Sequence, residues 1–183
     1  LNTNPVPIPL IPIKLSCPIA LINLMRLVSP LLPIGSYTWS QGLETAIEKN
    51  WVHDRATAAE WIHAVLLRSV ASSEGPILLR LYAALQDGSD EGFMAWNQTL
   101  LATRETAEFR KEDLEQGELL LKLVKIHEPD FQPLPIAHCF AASFAIATHV
   151  HSIEKDHCLL GFLWIWVEGQ IATATKLIPL SLR

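Results

Sequence analysis

The chain has 183 residues, of which 50% are hydrophobic and 18% are charged, and its formal net charge is −5. This length and apolar content suffice for one domain with a substantial core, and the mean hydropathy of +0.25 also suits a surface that is buried by a partner. The acidic balance, with no run of Lys or Arg, argues against nucleic acid as a partner. Three scattered cysteines form no disulfide framework and favour a reducing, cytoplasmic setting.

Residues 1–18 are predicted to be an extended, disordered arm, because they carry five of the twelve prolines. Residues 19–183 are predicted to form a single all-α domain, a bundle of about seven to nine helices, since apolar residues recur at helical spacing and strand patterns are absent. No membrane-spanning helix is expected. The longest apolar run, 158–167, is well short of the ~20 residues that a span needs.

The stretch 31–48, LLPIGSYTWSQGLETAIE, begins as a proline-bounded loop and ends as an amphipathic helix. Thr38 and Gln41 match a capping box, which predicts a helix that begins at about Trp39. Glu44 lies on the polar face of this helix. The residues alone allow a simple interpretation, in which that face is only solvated.

Further helices are predicted after a turn at 50–54. Thr57 and Glu60 match a second capping box. Gly75 with Pro76 should separate this helix from the next, and Pro76 suits the first turn of that next helix. The residues 87–90, DGSD, should cap another helix. Four short helices thus lead to a long one.

The long helix is predicted at about 103–126, with charged residues along one surface. Arg104 with Glu108, and Glu118 with Lys122, have the spacing of ion pairs one turn apart. A solvent-exposed, salt-bridged face explains these charges without any partner.

Two helices should follow, one begun by Pro135 and one capped by Asp156. The last helix has a seam of apolar residues on one side and Phe162 and Trp166 on the other. A helix that is apolar on both sides is either central in a bundle or shared with a partner, so Phe162 and Trp166 are candidates for a dimer or scaffold interface. The seam comprises Leu160, Trp164, Val167, Ile171, Ala174 and Ile178.

A metal site is the main chemical alternative, because His149, His151, His157 and Cys158 lie close in sequence and suit nickel or zinc. A small helical metal-binding enzyme could use this cluster. However, His149 and His151 diverge on a continuous helix, and no metal-binding spacing is present. Nucleotide-binding and serine-hydrolase motifs are also missing. We therefore assign no catalytic residue, no resident cofactor and no tight metal site.

Three stretches in order resemble signatures of the UreF family of urease accessory proteins. They are SPLLPIGSYTWSQGLETAIEKNWV at 29–52, LLATRETAEFRKEDLEQG at 100–117 and VEGQIATATKLIPL at 167–180. The resemblance implies a non-enzymatic, cytoplasmic homodimer. Its implied partners are a UreD-type (UreH-type) scaffold, a UreG-type GTPase and the urease apoprotein, with nickel as the cargo of the complex and at most a weak surface ligand of this chain.

Residue by residue, the resemblance implies that Glu44 and Lys176 face the GTPase, with Arg104 and Glu105 supporting the same surface. The family normally continues beyond the Lys176 motif with a Gly-Gln pair and a C-terminal segment. This chain ends at Arg183, so that segment is expected to be missing.

Overall fold

The computed structural model describes residues 18–33 and 42–178. Within these ranges, all regular elements are helical, which confirms the predicted all-α class. The helices are α1 (Pro18–Leu27), α2 (Leu43–Glu48), α3 (Arg55–Val65), α4 (Gly75–Gln86), α5 (Asp90–Ala102), α6 (Ala107–His127), α7 (Phe140–Val150) and α8 (Lys155–Leu177), with a π-helical segment (Leu66–Glu74) between α3 and α4. The predicted arm lies outside the described residues except for Pro18, which is the first residue of α1.

The capping box of α3 lies three residues earlier than predicted. Asp54 is the N-cap, and its Oδ1 accepts a hydrogen bond of 2.8 Å from the Thr57 amide. In return, the Asp54 amide donates to Thr57 Oγ1 at 3.1 Å. Thr57 is thus the third residue of the helix and not its cap, so the predicted pairing of Thr57 with Glu60 was wrong.

The predicted break at Gly75 and Pro76 was also wrong, because the chain stays helical from 55 to 86. The π-helical segment connects α3 to α4 without a loop, and residues 65, 66, 74 and 75 all have right-handed helical backbone angles. Pro76 does fall in the first turn of α4, as predicted, where a missing amide hydrogen costs little.

The starts of the next helices follow local capping chemistry. Ser89 caps α5 by accepting from the Gly92 amide at 3.1 Å, as the DGSD stretch predicted. Thr106 caps α6 by accepting from the Phe109 amide at 3.0 Å, so the long helix begins at Ala107, later than expected. The helices predicted to begin at Pro135 and Asp156 instead have Cys139 and Glu154 as N-caps.

The main core is built around α7, whose residues from Phe140 to Thr148 are all buried. Helices α4, α6 and α8 pack against it. Phe140, Phe144 and Phe162 fill the space between α7 and α8, with ring centroids about 6 Å apart. Because α7 is rich in alanine, the helices around it can approach its backbone closely.

Helix α8 is long enough and apolar enough to cross a membrane, judged by length and composition only. Its Gly161, Phe162, Ile165 and Ala174 are nevertheless buried against other helices of the same chain. We therefore describe α8 as a core helix of the bundle.

Candidate partner-binding site

Glu44 lies in the first turn of α2, and its side chain is exposed. The described part of this helix begins at Leu43, because Gly42 has a φ of 93° and cannot continue a right-handed helix. The predicted start at about Trp39, with its Thr38–Gln41 capping box, lies outside the described residues. A helix of six residues is not stable alone and depends on packing.

That packing comes from the C-terminal end of α8. Leu43 and Ala46 of α2 share a small apolar cluster with Ala174 and with Ile178, the residue that follows α8. The remaining buried members are Val52 and Ala58. We call this part of the molecule the α2–α8 end.

Lys176 lies in the last turn of α8 and is exposed. Its neighbours Ala174 and Ile178 are buried in the same cluster that holds Leu43, next to Glu44. The fold thus brings together the two elements that carry the predicted pair, although they lie 132 positions apart in sequence. Glu44 lies near the N-terminus of α2 and Lys176 near the C-terminus of α8, so each charge complements the dipole of its own helix. Both side chains face solvent and can meet another protein.

Arg104 has a different environment. Its Nη2 donates to Glu74 Oε2 at 2.8 Å, and its Nε donates to Asp113 Oδ2 at 2.8 Å. The guanidinium also lies 4.7 Å from the centre of the Phe109 ring. Only 8% of its side chain is exposed. The predicted surface pair with Glu108 was therefore wrong.

Burial alone lowers the pKa of Arg104, but the hydrogen bonds and charges of Glu74 and Asp113 more than offset that effect, so its pKa lies above the usual value. The guanidinium is thus a permanently charged link between the π-helical segment and α6. Its predicted role in supporting the partner surface remains a prediction, and any such role acts through the elements it joins. Glu105, in contrast, is exposed between α5 and α6.

Asp113 and Asn97, which were not predicted as functional residues, fix the start of α7. Asp113 accepts from the Phe140 amide at 2.8 Å with the oxygen that does not bind Arg104. Asn97 donates to the Ala137 carbonyl at 2.8 Å and accepts from the Cys139 amide at 3.0 Å. A signal was present in the sequence: Asp113 is an acidic residue four positions before the buried Gly117, on the apolar face of α6.

The two residues predicted at a subunit interface have unequal exposure. Phe162 is only 6% exposed and stacks on Phe140, while Trp166 is half-buried. Their interface role remains a prediction, and the burial of Phe162 argues against it. On the opposite side of α8, Leu160 and Trp164 are 57% and 51% exposed. The apolar surface that this helix offers therefore belongs largely to the predicted seam.

Three of the four residues of the alternative metal cluster contact separate neighbours. The rings of His149 and Tyr82 are nearly perpendicular, with centroids 5.7 Å apart. His151 Nδ1 lies 3.9 Å from Glu128 Oε1. Cys158 accepts a hydrogen bond from Thr148 at 3.1 Å, and burial raises the pKa of its thiol to about 12. His157 is half-buried in the first turn of α8. Within residues 18–33 and 42–178, no three His, Cys, Asp or Glu side chains are grouped so that they could hold one metal ion.

Comparison with known proteins gives a consistent answer. A family model described as UreF matches residues 52–182. The urease accessory protein UreF of Chromohalobacter salexigens is 38% identical over 172 residues, covering 93% of this chain and 75% of the relative. The UreF of Marinobacter nauticus is 43% identical over 165 residues, covering 89% of this chain and 71% of the relative. The UreF of Psychrobacter cryohalolentis is 39% identical over 171 residues, covering 89% and 72%. The chain therefore belongs to the UreF family of urease accessory proteins.

Proposed function

We propose that this chain bridges a UreD-type (UreH-type) scaffold and a UreG-type GTPase, so that nickel enters the urease apoprotein as GTP is hydrolysed. Its membership in the UreF family makes it a non-catalytic accessory protein of urease nickel-centre maturation, which sets aside the alternative of a small metal-binding enzyme. Nickel is the cargo of the complex, and the cytoplasm is its expected location.

The observation that carries the GTPase-facing part of this proposal is the α2–α8 end. Glu44 and Lys176 are exposed there on two helices that share one small apolar cluster. Two opposite charges on helices that pack against each other can fix the orientation of a partner and speed its association. Glu105 is an additional exposed carboxylate, and Arg104 contributes by holding α6 to the π-helical segment.

The charges at this end act on the GTPase by preferring one nucleotide state. A bound protein shifts a conformational equilibrium only by the difference between its affinities for the two states. Glu44 and Lys176 therefore bind the switch segments of the GTPase more tightly in one state than in the other. No nucleotide needs to touch this chain for that regulation.

Dimer formation uses the exposed apolar side of α8. Leu160, Trp164 and Ile171 are each 45% exposed or more. Such residues on one helix suit the centre of a protein interface, where aromatic and apolar side chains are enriched. The predicted interface residue Trp166 lies between Trp164 and Ile171 in the same helix.

The test compares Glu44→Gln and Lys176→Ala with two matched controls. Glu91→Gln changes an exposed carboxylate in the first turn of α5. Lys155→Ala changes an exposed lysine at the N-terminal end of α8, about 30 Å from Lys176 along the helix. Co-purification with the GTPase and urease activation in cells that carry the accessory proteins should both fall for the first pair only. Circular dichroism should show unchanged helix content in all four variants. If the first pair behaves as wild type in both assays, the site assignment is wrong.

A further inference from the structure

A groove of about 500 Å³ runs along α6, apart from the α2–α8 end, and five of its lining residues lie in the family signature at 100–117. One wall is the outer side of α6 between Ala107 and Leu121, and the other is the backbone and side chains of 136–138. The α6 wall is about 21 Å long, or four helical turns. Since α6 packs chiefly on α7 whereas α2 packs on α8, the groove is a surface separate from the site proposed above.

The two walls are held in a fixed relation by contacts from three helices. Gly117 lets the loop backbone lie directly on α6, because a Cβ at that position would collide with the His138 carbonyl oxygen. Asn97 binds the Ala137 carbonyl and the Cys139 amide, and Asp113 binds the Phe140 amide. A surface whose shape is already fixed loses little conformational entropy when a partner binds.

The groove is apolar along its floor and charged along its rim. Leu114, Leu121 and Ile136 supply the floor and are partly or fully buried. The rim changes sign along α6: Arg110 and Lys111 lie at the N-terminal end, and Glu115 and Glu118 follow, all four exposed. The groove is therefore polarised along its length.

These features select one kind of occupant. A small molecule would need several buried polar groups that converge on it, whereas His138 is the one buried polar side chain of this lining and the charged groups stand on the exposed rim. A second copy of this chain placed groove to groove would leave an unfilled space between two concave surfaces. A helix has the convex shape, the length and the apolar stripe that the groove requires.

We propose that this groove binds an amphipathic helix of about four turns from a different protein, with acidic residues near Arg110 and Lys111 and basic residues near Glu115 and Glu118. A helix carrying acidic residues in its first turn and basic residues in its last is also favoured by its own dipole. The bound helix therefore runs parallel to α6.

A photo-crosslinking amino acid in place of Ala107, in cells that express this chain with the urease operon, tests the proposal. Ala107 is exposed at the N-terminal end of the groove, and the same substitution at the exposed Ala59 of α3 is the matched control. We expect a crosslink from position 107, absent from position 59, that mass spectrometry maps to an amphipathic helix of another protein. A crosslink to a second copy of this chain, to a non-helical segment, or at equal yield from both positions would overturn the proposal.

Two further variants test the groove and its polarity. Ala137→Trp fills the groove from an exposed position and should abolish the crosslink, while Ala59→Trp should not. The identified helix can be made as a synthetic peptide. The double variant Arg110→Glu and Lys111→Glu should weaken binding of this peptide by at least about tenfold. A second peptide, in which the acidic residues are replaced by lysine, should bind the double variant as the first peptide binds wild type. Equal binding of both peptides to both proteins would show that charge does not select the occupant. Because none of these residues belongs to the α2–α8 end, GTPase co-purification reports separately on the proposed function.

Discussion

The main core and the α2–α8 end use charged residues in opposite ways. In the main core, Arg104 is enclosed between Glu74 and Asp113 and joins three parts of the chain. At the α2–α8 end, Glu44 and Lys176 stand in solvent on a small apolar cluster. The first arrangement fixes the fold, and the second leaves charge available to a partner. The family signatures therefore contain residues of both kinds.

The largest expected effect comes from removing the buried cation. Arg104→Ala leaves two enclosed carboxylates without their partner, which should lower the free energy of unfolding by about 3–5 kcal/mol. Urea denaturation measures this loss. The control is Lys122→Ala, which breaks the exposed 2.7 Å pair with Glu118 and should cost no more than about 1 kcal/mol. Similar losses for both variants would contradict the distinction between buried and exposed charge.

The two apolar clusters should also differ in how much a cavity lowers the free energy of unfolding. Leu78 and Leu43 are both 0% exposed, one in the main core and one at the α2–α8 end. Leu78→Ala should destabilise the whole chain by about 3–5 kcal/mol, and Leu43→Ala by about 2 kcal/mol, because the smaller cluster can relax around the missing atoms.

Hydrogen exchange followed residue by residue would separate the two leucine variants further. Leu43→Ala should speed exchange mainly in α2, a six-residue helix without a side-chain cap. If exchange instead rises equally throughout the chain, the α2–α8 end is not an independent region.

A smaller effect should appear on acidification. Burial lowers the pKa of His151, with contributions from Arg26 and His127 that are partly opposed by Glu128. The unfolded chain therefore takes up a proton at a higher pH than the folded chain, and stability falls as the pH drops below the ordinary histidine value of about 6.5. His151→Gln should lose less stability than wild type between about pH 7.5 and about pH 5.5.

The control for this pH prediction is His63→Gln, at an exposed position of α3. It should keep the pH dependence of the wild type in thermal unfolding. A steeper acid loss in His151→Gln than in wild type would reverse the inferred sign.

The smallest effect on stability is expected at the proposed partner surface. Lys176→Ala removes an exposed side chain and should change the free energy of unfolding by no more than about 0.5 kcal/mol. The same variant is the one expected to impair GTPase co-purification. A large loss of stability would instead place Lys176 among the structural residues.

The sequence by itself determined the helical class, the order of the amphipathic segments and the exposed position of Glu44, whereas the exposed position of Lys176 came from the family resemblance. The first three follow from local periodicity and capping chemistry, since Ser89 and the Glu118–Lys122 pair act within one or two turns. The family signatures added the functional context.

Only the tertiary structure decided the environment of Arg104 and the orientation of α8. Arg104 meets Glu74, thirty positions away, instead of its neighbour Glu108, and no local pattern encodes such a pairing. Periodicity showed that α8 has two apolar sides, but the neighbouring helices select which is buried: Phe162 packs on α7, whereas Trp164 faces solvent. The physical reason is that side-chain spacing defines the faces of a helix, while the burial of each face depends on elements distant in sequence.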